Sequence, residues 1–373
     1  MRTGIILTIA LFALSLLSCS QTTRREQAGG DTLSLAYARN ICIVQHDGYT
    51  TVDLSDPWKS GRTLHRYVLV PRESDLPSPL PEGTLIRTPL SRTIVFTTVH
   101  CALLRELGVG ESIAGVCDLK YIKDSWIQSQ CQSGKIVNCG DGMAPDVERI
   151  IDTRPDALLL TPFENSGGYG KVEETGVPLI ECAEYMEPTA LGRAEWMRFY
   201  GRLLGQADRA DSLFAAIDST YADTKRKASE RSRAIGRKPR VMMDKVTGSV
   251  WYVPGGQSTM AQLLSDAGGD YIFADNDQAG SVALSFETVL NRASDADVWL
   301  YRYSNRADLL SEHRGYAQFK PFRTGNVWGC DVSRSRFYEE TPFHPEWLLK
   351  EFSAIIQSTA DSTRYFFKLE GKR

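Results

Sequence analysis

Residues 145–160 read PDVERIIDTRPDALLL, and residues 283–300 read ALSFETVLNRASDADVWL. In both stretches a short amphipathic helix carries a glutamate near its start, Glu148 in one and Glu287 in the other. An aspartate and then an apolar strand follow each helix. Because the same helix–strand unit occurs twice, far apart in the chain, we expect two lobes of one α/β architecture.

Strands and helices alternate on both sides of each copy. From Arg92 onward, apolar segments such as TIVFTTV, SIAGVCD and VPLIECAEY alternate with helical patterns such as HCALLRELG and KVEETG. The alternation resumes after Pro239 with RVMMDKV, TMAQLLSDAGG, DVWLYRY and HPEWLLKEFSAII. Strands that are apolar at nearly every position are typical of parallel sheets covered on both faces. The predicted fold class is therefore α/β, with two Rossmann-like lobes built on parallel sheets.

A long helical region separates the two lobes. Its second helix has an apolar face around Phe214 and Ile217 and then continues through residues 225–233 with no apolar face. A helix that is buried at one end and bare at the other is expected to bridge two lobes. Before the first lobe, Asp47-Gly48 between apolar runs predicts a hairpin. The predicted organisation is signal peptide 1–18, tether 19–34, β-rich N-terminal extension 35–91, N-terminal lobe 92–205, bridging helix 206–238 and C-terminal lobe 239–373.

The N-terminus, MRTGIILTIALFALSLLSCS, has a basic Arg2 and then an apolar run that is too short to span a bilayer comfortably. This pattern fits a signal peptide. Its last residues, LLSC, match a bacterial lipobox, in which Cys19 is lipidated and becomes the new N-terminus. Acyl chains on Cys19 would anchor the protein to a membrane surface. The alternative is an ordinary signal peptide with a chance cysteine.

Composition and motifs limit the possible functions. A formal net charge of -3 and the lack of a concentrated basic face argue against nucleic acid as a partner. Of eight cysteines, seven remain besides the lipidated Cys19, and most of these lie in apolar segments as expected for buried free thiols. Cys131 and Cys139 are the one suspected local disulfide. No Cys or His spacing indicates a zinc site, and no GxSxG, HExxH, P-loop or strand-linked GxGxxG motif is present. We therefore expect no catalytic role, no resident metal and no cofactor.

The motifs together resemble the bacterial substrate-binding proteins that deliver metal chelates (iron siderophores, haem and cobalamin) to ABC importers. The resemblance covers roughly residues 92–357 and rests on the order of RTIVFTTVHCALLRELGVGESIAGV, PDVERIIDTRPDALLL, WYVPGGQSTMAQLLSDAGGDYIF, SFETVLNRASDADVWL and HPEWLLKEF. The entry segment DGYTTVDLSDPW looks like a branch found in Gram-negative lipoproteins of the Bacteroides type. The resemblance implies two lobes joined by a single backbone helix, in a monomer that is anchored to a membrane and faces the periplasm.

The same resemblance implies a role for the repeated glutamates. In this family each lobe offers one surface glutamate to an arginine of the permease dimer, and by position these are Glu148 and Glu287. A two-lobed protein can place one carboxylate on each half of a two-fold permease, where it would pair with a guanidinium. The simpler alternative is that each glutamate only stabilises its own helix N-terminus. The spacing differs, since Glu148 lies eight residues before Asp156 and Glu287 lies ten before Asp297.

Ligands of parallel sheets bind beyond the carboxyl ends of the strands. The loops there are rich in aromatic residues and carry charges of both signs, which suits a flat or oxygen-rich chelate. The N-terminal candidates are His100, Asp118, Tyr121, Phe163, Glu164, Tyr169, Glu184 and Tyr185. The C-terminal candidates are Lys245, Trp251, Tyr252, Arg302, Tyr303, Phe337 and Tyr338, with Arg302-Tyr303 ranked first. His100 is either a ligand contact or a histidine satisfied at the start of its helix.

The mixed charges favour an iron siderophore over cobalamin or haem as the cargo. Direct capture of bare zinc or manganese is disfavoured, because most of the five histidines lie outside the cleft loops. Two alternatives remain open at this stage. One is a lipid-anchored scavenger that binds a chelate without docking a permease, and the other is a tetrapyrrole or hydrolytic enzyme on the same fold.

Overall fold

Two open sheets form the framework of the molecule. The computed structural model describes residues 29–164, 168–302, 309–360 and 363–369. In the N-terminal lobe, five parallel strands lie in the order Leu179–Glu181, Ala157–Leu160, Thr93–Val95, Ile113–Val116 and Val137–Asn138. In the C-terminal lobe, the order is Asp270–Tyr271, Arg240–Met243, Val298–Tyr301, Val327–Gly329 and Phe367–Lys368, of which the last is antiparallel. The predicted α/β fold with two parallel-sheet lobes is confirmed.

Helices cover both faces of each sheet. Adjacent residues of one strand, Leu158 and Leu159, point into two separate buried clusters, as expected when both faces are covered. The α-helices of the N-terminal lobe are Thr98–Glu106, Ser125–Gln132, Val147–Thr153, Ala190–Glu195 and Met197–Leu203. Those of the C-terminal lobe are Thr259–Asp266, Phe286–Ala293, Leu309–Glu312, Lys320–Thr324, Phe337–Glu340 and Pro345–Ile356.

The repeated unit of the sequence has the same local geometry in both lobes. Asp156 and Asp297, which precede equivalent strands, accept the backbone N–H of Arg92 at 3.0 Å and of Arg240 at 2.9 Å. The guanidinium groups of the same two arginines donate to a carbonyl in the last turn of the repeated helix, at 2.7 and 3.0 Å. Each arginine–aspartate pair therefore joins the end of the repeated helix to the start of the strand that follows it and to the neighbouring strand. The arginine also pairs a backbone carbonyl that the end of a helix leaves without a partner.

A single long helix, Ala207–Ile235, connects the lobes and is called the bridging helix below. Its first half buries the apolar face that the sequence predicts. Its second half is not bare, which corrects the prediction: Ala228 and Ser232 are only 2% and 5% exposed. The Ser232 hydroxyl donates to the carbonyl of Gly268 at 3.1 Å. Small residues such as these let two backbones approach closely. They form no apolar stripe in the sequence, so this packing could not be predicted from it.

A five-stranded sheet precedes the first lobe and packs against it. Its strands are Asp31–Thr32, Ile41–His46, Tyr49–Ser55, Thr63–Pro71 and Thr84–Thr88, and the predicted hairpin turns at Asp47-Gly48. The buried carboxylates of Glu187 and Glu195 accept backbone N–H groups from residues 36–40. Because the first strand begins at Asp31, the predicted tether of residues 19–34 extends too far.

Smaller elements complete the structure. A three-stranded antiparallel sheet of the C-terminal lobe consists of Val246–Thr247, Val250–Pro254 and Ser281–Leu284. Two short strands, Gly140–Asp141 and Ala144–Pro145, pair directly after the sheet strand Val137–Asn138. Cys131 and Cys139, the suspected disulfide, are both free thiols in the structure, which corrects that prediction. Among the described residues, no helix has the length and apolar character needed to cross a membrane.

Candidate ligand-binding cleft

Exposed aromatic side chains lie in the segments that follow parallel strands of both lobes. Tyr121 and Phe163 of the N-terminal lobe are 59% and 52% exposed. Tyr252 and Tyr338 of the C-terminal lobe are 48% and 44% exposed. Single exposed aromatic residues are ordinary, but several in the segments that follow parallel strands of both lobes would provide apolar surface for a bound molecule. These four residues meet the exposure that a ligand contact requires, and their role remains a prediction.

Two of these tyrosines lie beside a direct contact between the lobes. The backbone N–H of Lys123 donates to the carboxylate of Glu339, which is 3% exposed. Tyr121 lies two residues before Lys123, and Tyr338 is the neighbour of Glu339 in the chain. Both exposed tyrosines are therefore close in the chain to the residues that join the lobes here, which makes them candidates for contact with a ligand between the lobes.

Tyr169 and Tyr185 stabilise the N-terminal side of the cleft. The hydroxyl of Tyr169 donates to Oε1 of Glu181 at 2.9 Å, and that of Tyr185 donates to the carbonyl of Pro162 at 2.7 Å. Burial, together with the charge of Glu184, raises the pKa of Tyr185. Both hydroxyls therefore stay protonated and hold neighbouring loops together, while the rings remain partly exposed.

Asp118 follows the strand Ile113–Val116 in a left-handed conformation, with a φ of 52°. Its N–H donates to the carbonyl of Gly140 at 2.8 Å. The half-buried carboxylate lies against Gly142, where an added Cβ would come within 2.7 Å of Oδ2. The missing side chain at Gly142 therefore leaves room for the Asp118 carboxylate at the edge of the cleft.

The first-ranked pair, Arg302-Tyr303, is only half described. Both ends of the Arg302 guanidinium bind Asp244, Nε to Oδ1 at 3.1 Å and one terminal nitrogen to Oδ2 at 2.6 Å. Asp244 is 1% exposed and has a φ of 64°. The Lys245 ammonium pairs with one carboxylate oxygen of Glu312. The two candidate cations of this lobe, Arg302 and Lys245, are therefore already engaged with carboxylates. Tyr303 lies outside the described residues, as does Cys19.

Trp251 does not line the cleft, so that prediction was wrong. It is 0% exposed, its indole N–H donates to the carbonyl of Met243 at 3.1 Å, and its ring lies 5.8 Å from that of Trp299. Successive side chains of a strand point to opposite faces, so Tyr252 faces outward where Trp251 faces the core. Phe337 is also buried, at 2% exposure. Glu164, by contrast, is exposed.

His100 and Glu184 lie beneath the cleft surface and not in it, with 1% and 2% exposure. They form a buried cluster with Cys182 and Tyr200, called the buried cluster below. Nε2 of His100 is 3.1 Å from the Tyr200 hydroxyl and 3.5 Å from Oε2 of Glu184. The Tyr200 hydroxyl donates to the same Glu184 oxygen at 2.9 Å. Cys182 and Tyr200 were not among the sequence candidates, because a thiol in an apolar strand and a tyrosine in a helix stripe read as core.

Charge is retained inside the buried cluster. Burial would lower the pKa of His100, but Cys182 and Glu184 outweigh it and raise that pKa to about 10. Burial also opposes ionisation of Glu184, yet the charges of His100 and Arg193 hold its pKa below the usual value. Without a bound ion, a buried imidazolium–carboxylate pair is the resulting state at neutral pH. Such a buried pair is stable only because the charge of each partner balances the opposite charge of the other.

The repeated glutamates are both exposed and occupy the same helical position. Glu148 is the second residue of Val147–Thr153, and Glu287 is the second residue of Phe286–Ala293. Each therefore favours its helix N-terminus, whatever else it does. Ile151, one turn after Glu148, is also 53% exposed. This surface has the exposure that docking needs, and docking itself stays a prediction.

Two α/β lobes, a bridging helix and a cleft at the strand ends define a two-lobed solute-binding protein. A family model described as periplasmic binding protein matches residues 94–333. The match spans more than half of the chain, so the chain belongs to this family. Its members bind solutes, and the prediction of a binding protein instead of an enzyme is confirmed by this membership.

Similar proteins support the same class. An uncharacterized lipoprotein of Methanocaldococcus jannaschii is 27% identical over 80% of this chain and 76% of its own length. A periplasmic heme-binding protein from Pseudomonas aeruginosa is similar in structure, with a TM-score of 0.59, 16% identity, and coverage of 76% of this chain and 99% of that one. A protein of an ABC-type Fe3+-hydroxamate transport system from Saccharomonospora viridis has a TM-score of 0.53, 22% identity, and coverage of 72% and 93%. The archaeal relative is described as a lipoprotein, and its origin does not support the expected Gram-negative setting.

Proposed function

We propose that this protein binds a metal chelate in the cleft between its lobes and delivers it to the permease of an ABC importer. The observation that carries the proposal is the set of exposed aromatic residues at the strand ends of both lobes, in a member of the periplasmic binding protein family. Aromatic rings suit flat or polycyclic chelates, because a ring can stack on such a ligand without the help of a charged side chain. An iron–siderophore complex is the favoured cargo, with haem and cobalamin as alternatives.

The structure changes the reason for favouring an iron chelate. Arg302 and Lys245 are paired with carboxylates, so free cations supply less of the proposed recognition than the sequence indicated. Support now comes from the aromatic residues and from the half-buried carboxylate of Asp118. Proteins of similar fold bind heme or belong to ferric hydroxamate transport, which is consistent with a chelate of either kind.

The proposed cleft is tested by removing its two junction tyrosines. Tyr121→Ala and Tyr338→Ala should each weaken binding of the preferred chelate about fivefold or more, since a stacked ring contributes roughly 1–3 kcal/mol. The measurement is isothermal titration calorimetry with ferric desferrioxamine B, haem and cyanocobalamin. Tyr49→Ala, in the N-terminal sheet, is the control and should bind like the unmodified protein. Unchanged affinity in both cleft variants would contradict the proposed site.

Docking to a permease is tested separately from ligand binding. Glu148→Arg and Glu287→Arg reverse one exposed charge in each lobe, and both should abolish chelate uptake in cells that carry the importer. Affinity for the chelate should stay the same, because both residues are on the outer surface of their helices. Glu174→Arg, an exposed glutamate of the N-terminal lobe, is the matched control. Normal uptake with both reversed charges would favour the scavenger without a permease partner.

We further propose that the chain acts as a monomer held at the membrane by acyl chains on Cys19, on the periplasmic side. The LLSC motif and the lipoprotein description of the relative support this proposal. Cys19→Ala should release the protein from the membrane fraction into the soluble fraction, and mass spectrometry of the intact chain should show the acyl mass only when Cys19 is present. A membrane-bound Cys19→Ala variant would contradict lipidation at this residue.

A further inference from the structure

The buried cluster brings together four different metal-ligating groups. Nε2 of His100, Sγ of Cys182 and a carboxylate oxygen of Glu184 all lie within 4.8 Å of one another. The Tyr200 hydroxyl contacts two of these groups, at 3.1 and 2.9 Å. A nitrogen, a thiol, a carboxylate and a phenol form the mixed donor set that suits a borderline-soft divalent ion such as Zn²⁺. We propose that the buried cluster is a binding site for one such ion, held permanently and separate from any cargo in the cleft.

The distances among the ligand atoms of His100, Glu184 and Tyr200 are close to those of a tetrahedral site, and the Cys182 sulfur lies within 4.8 Å of the His100 and Glu184 ligand atoms. Ligand atoms roughly 2.0–2.3 Å from a zinc ion lie about 3.3–3.8 Å from one another in a tetrahedron. The His100–Glu184 distance of 3.5 Å is inside this range. The two contacts of the Tyr200 hydroxyl, at 3.1 and 2.9 Å, need to lengthen by only about half an ångström to reach it.

The surroundings of His100 orient its ring so that one nitrogen can bind a metal ion. Its Nδ1 contacts the hydroxyl of Thr97, which leaves Nε2 directed at the other members of the buried cluster. A metal-bound histidine commonly donates its second ring N–H to an oxygen acceptor, and Thr97 is placed to accept it. The Thr97 hydroxyl also caps the helix Thr98–Glu106, so both the ring and its support are fixed by the fold.

Charge balance is compatible with a divalent ion in this buried place. Binding would require the Cys182 thiolate and neutral His100, so one ion would replace two protons and the net charge of the buried cluster would not change. Arg193 remains 3.8 Å from the other oxygen of Glu184 and balances its charge. An ion bound here would hold together the carboxyl ends of the strands Thr93–Val95 and Leu179–Glu181. The C-terminal lobe also contacts the buried cluster, since the Phe343 ring lies 5.9 Å from the ring of His100.

Cobalt titration tests the site directly. The chain from Gln21 onward, stripped of metal with a chelator, is titrated with Co²⁺ and followed by absorption. The expected result is one Co²⁺ per chain, with a thiolate-to-metal charge-transfer band and the intense visible bands of tetrahedral Co²⁺, all lost when Zn²⁺ is added. A folded protein that binds no Co²⁺, or binds it without the charge-transfer band, would overturn the proposal.

Variants separate ligation from folding. Cys182→Ser should remove the charge-transfer band, whereas Cys330→Ser, at an equally buried thiol of the C-terminal lobe, should keep it. Glu184→Gln should weaken Co²⁺ binding at least tenfold and serves as the second variant if Cys182→Ser does not fold. Circular dichroism of each metal-free variant checks the fold. A band that persists in folded Cys182→Ser would place the metal elsewhere and refute the site.

Discussion

At the scale of single residues, Trp251 and Tyr252 are neighbours with opposite environments. Trp251→Ala should lower the free energy of unfolding by about 3–5 kcal/mol, because it empties a fully buried site. Tyr252→Ala should change it by less than about 0.5 kcal/mol, because that ring is 48% exposed. Urea denaturation followed by circular dichroism measures both. Equal losses in the two variants would contradict the assignment of one to the core and the other to the cleft edge.

Asp297 gives a residue-scale prediction about pH. Burial opposes its ionisation, but hydrogen bonds from Lys320, Arg237 and the Arg240 amide outweigh burial and lower its pKa to about 2. A lowered pKa in the folded state stabilises the protein above the unfolded pKa of about 4, and this contribution is lost as the pH falls towards about 2. Asp297→Asn should therefore destabilise the C-terminal lobe by about 1 kcal/mol at neutral pH, a small value because solvent partly screens the group.

The matching control is Asp277→Asn, at an exposed position of the same lobe. Thermal unfolding from pH 7 to about pH 3 should show a weaker acid dependence in Asp297→Asn than in the unmodified protein. Asp277→Asn should follow the unmodified protein throughout. An unaltered acid dependence in Asp297→Asn would mean that this carboxylate is not held ionised by its three partners.

At the scale of secondary-structure elements, the length of an element decided whether the sequence predicted it. The helices Phe286–Ala293 and Pro345–Ile356 were predicted because their apolar faces repeat over two or more turns. The strands Val137–Asn138 and Val327–Gly329 were missed because two or three residues contain no readable alternation. The buried cluster was missed for another reason. His100 and Tyr200 are a hundred residues apart in the chain, and only the packing of the lobe brings them together.

The packing of the bridging helix on the C-terminal lobe gives an element-scale prediction. Gly268 has a φ of 85°, and an added Cβ would lie 2.7 Å from the Ser232 hydroxyl and 2.5 Å from the Gln357 amide. Gly268→Ala should therefore destabilise the protein by about 2–4 kcal/mol, the sum of backbone strain and overpacking. Gly236→Ala has a similar φ of 77° but open space around the Cβ, so it should lose only about 1 kcal/mol.

Guanidinium denaturation of the two glycine variants separates the contributions. Their difference in unfolding free energy isolates the close contact between the bridging helix and the C-terminal lobe from the strain that both share. A difference near zero would show that the bridging helix is not packed closely at Ser232. That result would agree with the prediction from the sequence that the second half of the bridging helix has no packed face.

At the scale of the whole molecule, a histidine connects the two lobes. Nε2 of His344 lies 2.6 Å from Glu106 of the N-terminal lobe, and Nδ1 lies 2.8 Å from Glu346 of its own lobe. Burial would lower the pKa of His344, but the two carboxylates outweigh it and raise the pKa to about 9. The charged form therefore holds the lobe junction together at neutral pH.

The raised pKa determines the direction of the pH effect. The stabilisation is complete below the unfolded pKa of about 6.5 and is lost as the pH rises through about 9. The unmodified protein should lose about 2 kcal/mol of unfolding free energy between these values, and His344→Gln should lose much less. Thermal unfolding at a series of pH values measures this, with His46→Gln of the N-terminal sheet as the control. An equal loss in His344→Gln would contradict the role of this junction.

Chelate binding by the two lobes together is the central claim, and one titration tests it most directly. The chain from Gln21 onward is titrated with ferric siderophores, haem and cobalamin, each beside its metal-free counterpart, while tryptophan fluorescence is recorded. We predict saturable quenching by one chelate, at one molecule per chain and with sub-micromolar affinity, and much weaker binding of the metal-free form. Equal binding of the metal-free form would contradict a chelate-specific cleft, and a folded protein that none of the chelates quenches would contradict the proposed cargo class.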